Sequence, residues 1–286
     1  MIQIGDPLPR IDQGNRTISV AIITTVYKDL LGLQSTADSV LEQDYPLSWV
    51  VVDADSGPET TKYLNFLTSK THKIKWVSEK DDGLYHGMNK GFQLVKADIY
   101  LFLNANDKLA TPETISSIVN SFSAERWQWA VALAVRFDED GTPVSVWEYL
   151  NPELGGLAIG TRTFCHQATF YSRQILEKTM PYDQTNLAAD HLLNIKAFKI
   201  SSPKMLPFVS TYFANGGVSS KRPMTAAFKD LRRIRNDLDL YFLKNKSLDY
   251  LITKGIIVLL KMGGISWKSL KFLSRKLVKE RNRIHP

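Results

Sequence analysis

The sequence predicts an α/β fold organised around a mostly parallel sheet, and two features of its patterning carry that reading. Short apolar, β-branched runs recur at residues 18–24, 49–52, 74–77 and 99–103, and segments with helical spacing separate them at 30–43, 60–67 and 87–95. Strands alternating with helices at these intervals imply right-handed crossovers, so helices cover both faces of the sheet.

The first run, residues 18–24, is almost wholly apolar and reads as a strand buried on both faces. The helix at 30–43 follows it. After the second strand, Ser56-Gly57-Pro58 is a turn signal that launches the helix at 60–67. The third strand leads to the helix at 87–95, and the fourth to a further helix opening at Thr111-Pro112. Residues 127–160 are richer in Trp and Gly with short β-like pieces and read as a second half. A helix returns at 182–200, and Asn215-Gly216-Gly217-Val218-Ser219 marks a loop before a basic helical extension at 221–286. No internal repeat is present.

Composition narrows the class. With 286 residues, 44% hydrophobic, 10% aromatic and 23% charged, the chain has ample material for a core and is not a disordered protein. Its one cysteine, Cys165, closes no intrachain disulfide and builds no zinc cluster, which favours a reducing compartment. Residues 1–15 lack a charged head followed by an apolar stretch, so no secretion signal is expected there.

The net charge of +7 is unevenly placed. Residues 221–286 hold 17 basic and 5 acidic side chains, a balance of +12, whereas residues 1–220 hold 19 and 24, a balance of −5. The extension mixes its cations with apolar residues, including the run 256–260 and Trp267, Leu270, Phe272, Leu273, Leu277 and Val278. That run is far shorter than the ~20 residues that cross a bilayer. Amphipathic helices of this kind suit an anionic membrane surface; a helical cap with solvated cations is the alternative. Nucleic acid is not expected as a partner, because the aromatics are committed to packing rather than interleaved as stacking platforms.

In a parallel sheet, ligands bind beyond the carboxyl ends of the strands. Three such ends carry chemistry here: Thr25-Val26-Tyr27, Asp53-Ala54-Asp55-Ser56-Gly57 and Asn104-Ala105-Asn106-Asp107. A carboxylate at a strand end can hydrogen-bond a ribose or base edge, and an aromatic can cover the base. Singly, a turn aspartate or a core tyrosine explains each; together they suggest a nucleotide.

The stretch Ser78-Glu79-Lys80-Asp81-Asp82-Gly83-Leu84-Tyr85-His86-Gly87-Met88-Asn89-Lys90-Gly91 closely resembles the SEPDxGIYDAMNKG segment of family 2 glycosyltransferases, particularly the branch with colanic-acid and related polysaccharide enzymes. Further similarities follow in order: ITTVY, WVVVDADSG, LFLNAND, CHQATFY, AADHLL and GGVSS. The resemblance spans residues 18–220. It implies a GT-A, Rossmann-like domain over 1–220, with a nucleotide-binding half at 17–115 and an acceptor-binding half at 116–220.

The resemblance also implies inverting transfer of a sugar from a nucleotide donor, most simply a UDP-sugar, to a glycan or lipid-linked glycan in bacterial polysaccharide synthesis at the cytoplasmic membrane face. By that resemblance the donor is held by Thr25, Tyr27, Asp53, Asp55, Asp81, Gly83, Tyr85, Asn89, Lys90, Asn104 and Asn106, and the sugar or acceptor by His166 and Gln167. Asp107 is then the ligand of a divalent cation, Mg²⁺ or Mn²⁺, and Asp190 the catalytic base. The chemistry needs both: a leaving diphosphate must be neutralised and the attacking hydroxyl must lose a proton. Plainer readings stand beside these roles, namely a helix cap for Asp190, a core residue for His166 and an exposed helical lysine for Lys90.

The family's metal motif usually carries more than one acid, whereas Asn104 and Asn106 leave Asp107 alone here, so weaker metal affinity is expected. Asp53 and Asp55 form a literal Asp-x-Asp, but after the second strand, where nucleoside contact is the better reading. Val51-Val52-Asp53-Ala54-Asp55 also resembles the nucleophile loop of haloacid-dehalogenase-like phosphatases; Asn106-Asp107 supplies their later acidic pair poorly, and the 85–91 match stays unexplained. A catalytically weakened scaffold at the membrane is the non-enzymatic alternative. Walker, Gly-x-Gly-x-x-Gly, His-Glu-x-x-His and Gly-x-Ser-x-Gly motifs do not occur.

Overall fold

The structure, a computed structural model, describes residues 17–138, 141–147, 154–160, 163–214 and 223–262. The loop expected at 215–219, the GGVSS match and residues 263–286 of the basic extension lie outside the described residues.

Four strands pair in parallel in the order β3-β2-β1-β4: β1 (Val20–Val26), β2 (Ser48–Asp53), β3 (Ile74–Ser78) and β4 (Ile99–Phe102). Helices α1 (Leu30–Leu41), α2 (Pro58–Lys70) and α3 (Leu84–Leu94) occupy the crossovers. Every residue of β1 is buried, which is why its sequence is a continuous apolar run. The strand runs two residues past the expected end because its hydroxyls are satisfied. Thr24 Oγ1 donates to the Leu103 carbonyl at 2.7 Å and Thr25 Oγ1 to Asn104 Oδ1 at 2.8 Å.

Helix boundaries shift for local reasons. α1 stops short of Gln43, whose buried amide donates to the Ser39 and Thr111 carbonyls and accepts from the Ile115 N–H. α2 begins at Pro58, where proline's missing donor costs nothing. α3 begins three residues early. Gly83, at φ 113, caps it while its N–H donates to Asp81 Oδ1 at 2.9 Å.

Beyond β4 come β5 (Lys108–Leu109), α4 (Thr114–Glu125), β6 (Trp129–Phe137), β7 (Pro143–Trp147), α5 (Leu154–Ile159), β8 (Thr169–Ser172), α6 (Arg173–Thr179), α7 (Ala189–Ile200), β9 (Lys204–Ala214), α8 (Met224–Asp237) and α9 (Lys246–Lys261). The sheet continues as β4-β8-β6-β9-β5. β8 runs antiparallel to both neighbours, and β9 runs parallel to β6. Most of the paired register is parallel, as predicted. α7 starts only at Ala189, because Asn186 Oδ1 accepts the Ala188 N–H and its carbonyl the Ala189 N–H, forming a turn where a helix was expected from 182.

The chain forms two compact units. The first comprises residues 1–149, 165–184 and 201–215 and contains the sheet with α1–α4 and α6. Its core joins Val20, Ile22, Trp49, Val51, Leu101, Ile118 and Phe170. The second comprises residues 150–164, 185–200 and 216–286, so α5 and α7 from mid-chain join α8 and α9. Here the compact units interleave along the sequence.

Candidate functional site

The expected donor residues gather at the carboxyl rim of β1, β2 and β4, in the sheet unit. Val26 is in register with Asp53, which ends β2. The Asp53 side chain is buried: it accepts from the Ser56 N–H at 3.2 Å and from Ser78 Oγ at 2.6 Å, tying the second loop to the third strand. Asp55 is exposed and left-handed, at φ 58, a conformation that Asp tolerates better than most side chains. Tyr27 is 62% exposed, with Lys28 Nζ 5.1 Å from its ring centre, and the Lys28 N–H donates to Ser56 Oγ. Lys28, Ser56 and Ser78 were not anticipated as site residues; Ser56 had a signal as part of the turn, and Ser78 as the first residue of the long motif.

The long motif folds as the loop after β3 and the first turns of α3. Its glycines permit close approach. A Cβ on Gly91 would stand 2.4 Å from Ile23 Cγ2, and one on Gly87 would stand 2.9 Å from Thr25 Cγ2 and 3.1 Å from Asp81 Oδ2. Asp81 and Thr25 are thereby brought together. Lys90 is not a solvated helical lysine: it is 17% exposed and pairs with Glu79 at 2.7 Å, an interaction that lowers the Glu79 pKa.

Asn89 is bound on both sides of its amide. Nδ2 donates to the Tyr182 carbonyl at 3.0 Å and Oδ1 accepts the Tyr182 N–H at 2.8 Å, joining α3 to the segment after α6. The Tyr182 ring lies 5.3 Å from Tyr85, 5.2 Å from Phe102 and 5.8 Å from His166, and His166 stacks on Phe102 at 5.6 Å. Tyr85, Asn89 and His166 thus form one buried layer with Tyr182, a residue that sequence reasoning gave no role. Asn89→Ala should destabilise the protein by about 2 kcal/mol, since it removes two buried hydrogen bonds to the Tyr182 backbone. Urea denaturation measures this, and an unchanged midpoint contradicts it.

At the end of β4, Asn104 accepts from Thr25, and Asn106 is exposed at φ 72 with its N–H bonded to the Gly32 carbonyl. Asp107 is buried. Burial raises its pKa to about 7, against hydrogen bonds from the Gln167 side chain and the Ala214 and Asn104 backbones that favour the charged form. Asp107 and Gln167, from distant segments, are therefore in contact. Among the described residues no group of three or more His, Cys, Asp or Glu could cage a metal ion. One buried carboxylate fits a different arrangement, a divalent cation shared with a ligand's phosphates.

The elevated pKa has a consequence for stability. The unfolded chain releases the Asp107 proton near 3.8 and the folded chain near 7. Between those values ionisation favours the unfolded state, so this contribution is fully present below pH 4 and is lost as pH rises through 7. The cation-free protein should therefore lose a few degrees of thermal midpoint over that window relative to Asp107→Asn. Parallel curves for the two proteins would contradict it.

Asp190 belongs to the helical unit. It sits half-buried in the first turn of α7, and its Oδ1 accepts the His191 N–H at 2.8 Å. His191 is buried with Nε2 2.7 Å from the Leu157 carbonyl, and burial lowers its pKa.

The family model for "Glycosyl transferase family 2" matches residues 21–180. An uncharacterized glycosyltransferase of Mycobacterium tuberculosis is 30% identical over 224 residues, covering 76% of this chain and 82% of that protein. A PGL/p-HBAD biosynthesis glycosyltransferase of Mycobacterium bovis is 26% identical over 216 residues, covering 71% and 77%. Among solved structures, S. aureus TarS 1-349 in complex with UDP-GlcNAc superposes with a TM-score of 0.61 at 15% identity, covering 81% of this chain and 69% of that one. The mannosyltransferase PcManGT from Pyrobaculum calidifontis, in complex with GDP-Man and Mn2+, gives 0.56 at 15% identity, covering 91% and 79%.

Proposed function

The chain belongs to glycosyl transferase family 2, and from that premise we propose that it moves a sugar, with inversion, from a nucleoside-diphosphate sugar to a hydroxyl of a glycan or lipid-linked glycan. It is a glycosyltransferase with the GT-A fold; donor, acceptor and mechanism are the proposal. The observation that carries it is the rim itself, where Thr25, Asp81 and Asn104 adjoin and Asp107 meets Gln167.

In this reading the exposed ring of Tyr27 covers the base, and Asp55, Asp81 and Asn106 offer acceptors or donors to the nucleoside. Asp53 fixes the loop that carries Asp55. Gly83 and the α3 turn approach the donor closely, while Tyr85, Asn89 and Lys90 act beneath it as supports. His166 and Gln167 border the sugar. When bound, a divalent cation, Mg²⁺ or Mn²⁺, supplies charge neutralisation to the diphosphate, and Asp107 is the residue that would hold it. The acceptor oxygen bonds to the anomeric carbon as the bond to the diphosphate breaks, and the hydroxyl proton passes to Asp190. A UDP-sugar is the first donor to test, because TarS is seen with UDP-GlcNAc.

The setting we infer is bacterial surface polysaccharide synthesis on the inner face of the cytoplasmic membrane. No helix among the described residues is long and apolar enough to cross a membrane, and the +12 balance of residues 221–286 suits attachment to an anionic surface. The test is a thermal-shift screen of UDP-, GDP- and dTDP-sugars with Mg²⁺ or Mn²⁺, since a ligand that binds only the folded state raises the midpoint. We expect one nucleotide class to stand out and to support transfer. If every donor leaves the midpoint unmoved and no sugar is turned over, the reading is wrong.

A further inference from the structure

α9 is apolar on both sides. Its inward side mixes half-buried Ile252, Ile256 and Leu260 with a buried polar anchor: Asp249 and Thr253 are 1% and 2% exposed and both bond Arg235 of α8, Asp249 to Nε at 2.6 Å and Thr253 Oγ1 to Nη2 at 2.8 Å. At 100° per residue, the opposite side of the helix carries Leu251, Val258, Leu259 and Met262, which are 61%, 46%, 41% and 76% exposed, with Gly255 among them. A helix that only capped a core would carry polar side chains on its outer side, not a second apolar stripe.

The flanks of the stripe are equally one-sided. Lys246, Tyr250, Lys254 and Lys261 form a ridge along one border, all exposed, with Lys254 Nζ 5.7 Å and the Arg232 guanidinium 4.8 Å from the Tyr250 ring. The one acid in α9 is Asp249, which is buried and neutralised by Arg235. The outward half of the helix therefore combines exposed aliphatic side chains with lysines that pair with no acid among the described residues and an aromatic placed between them. A soluble partner's apolar patch would match the stripe but not the ridge, whereas a bilayer of anionic headgroups over acyl chains matches both.

We propose that the outward face of α9 is an anionic-lipid docking surface, lying in the plane of the membrane with Leu251, Val258, Leu259 and Met262 immersed and the lysine ridge at the headgroups. This deepens the membrane setting proposed above, which rested on the total charge of residues 221–286, by naming the helix, the face and the depth-setting residues.

Cosedimentation of the full chain with vesicles of phosphatidylglycerol and phosphatidylcholine tests it, using Leu251→Glu/Val258→Glu for the stripe and Lys254→Gln/Lys261→Gln for the ridge. All four positions are exposed, so thermal midpoints and transfer to a water-soluble acceptor should be unchanged. That readout separates failure of the docking proposal from failure of the glycosyltransferase reading. The expected result is at least a tenfold loss of vesicle partitioning for the stripe variant, a several-fold loss for the ridge variant that added salt reproduces in the wild type, and little binding to pure phosphatidylcholine. Wild-type partitioning by the stripe variant overturns the proposal. So does a stripe variant whose main change is loss of a dimer in light scattering, which would assign the face to a second copy of the chain. If residues 263–286 cover the face instead, their deletion should increase binding through α9; loss of all binding on that deletion, with α9 intact, also overturns it.

Discussion

Asp190→Asn is expected to lower kcat for transfer by about 10²–10⁴-fold, the range that a positioned general base contributes, while leaving a folded protein that still binds its donor. The amide is isosteric and keeps an oxygen to accept the His191 N–H. Its one predictable cost is a negative charge lost from the first turn of α7, worth about 0.3–1 kcal/mol. His191, the next residue, is kept neutral by burial, against its bond to the Leu157 carbonyl and the nearby Asp190, which both favour its charged form. Steady-state kinetics at saturating donor and acceptor, together with donor calorimetry, separate the two possibilities. A base loses kcat with donor affinity preserved, whereas a helix cap loses stability and leaves kcat near the wild-type value.

How far the sequence disclosed this arrangement depended on whether a feature was local. The four parallel strands were legible because burial on both faces forces a continuous apolar run; β1 begins two residues later than the 18–24 run and extends through Thr24 and Thr25, whose hydroxyls are satisfied by bonds to Leu103 and Asn104. β8 and β9 were missed because their partners are remote. Thr169–Ser172 pairs with strands far from it in sequence, and the Lys204–Ala214 run carries Pro207 and register shifts that break its period. The same distinction holds at the site. Asp53 and Asp107, at strand ends, were visible as strand-end acids, and Asp81 through the motif that resembles the family's. The Asn89 clamp on Tyr182, and the bond between Gln167 and Asp107, join positions that no short window contains. At Lys90 a helical position is compatible with an exposed lysine, and only the fold shows that plainer reading to be wrong, with Glu79 drawing the side chain against the loop.

Breaking the buried pair in the helical unit should be the most destabilising change there. Arg235 and Asp249 are each 1% exposed, with Nε to Oδ1 at 2.6 Å, Nη2 also donating to Thr253 Oγ1 and Nη1 to the Ala158 carbonyl, and the guanidinium 4.4 Å from the Phe242 ring. Burial lowers the Arg235 pKa, which marks how much its solvation has been given up in exchange for Asp249. Asp249→Ala therefore leaves a charged guanidinium with no counter-ion and also removes the acceptor for the Phe242 N–H. The expected loss is about 3–5 kcal/mol, with faster hydrogen exchange in α8 and α9. Arg235→Met/Asp249→Leu should cost much less than the sum of the single changes, because neither charge is then stranded and two apolar side chains fill similar volume. If the double variant instead loses the full sum, the pair is not coupled, and α8 and α9 are held together by their apolar contacts alone.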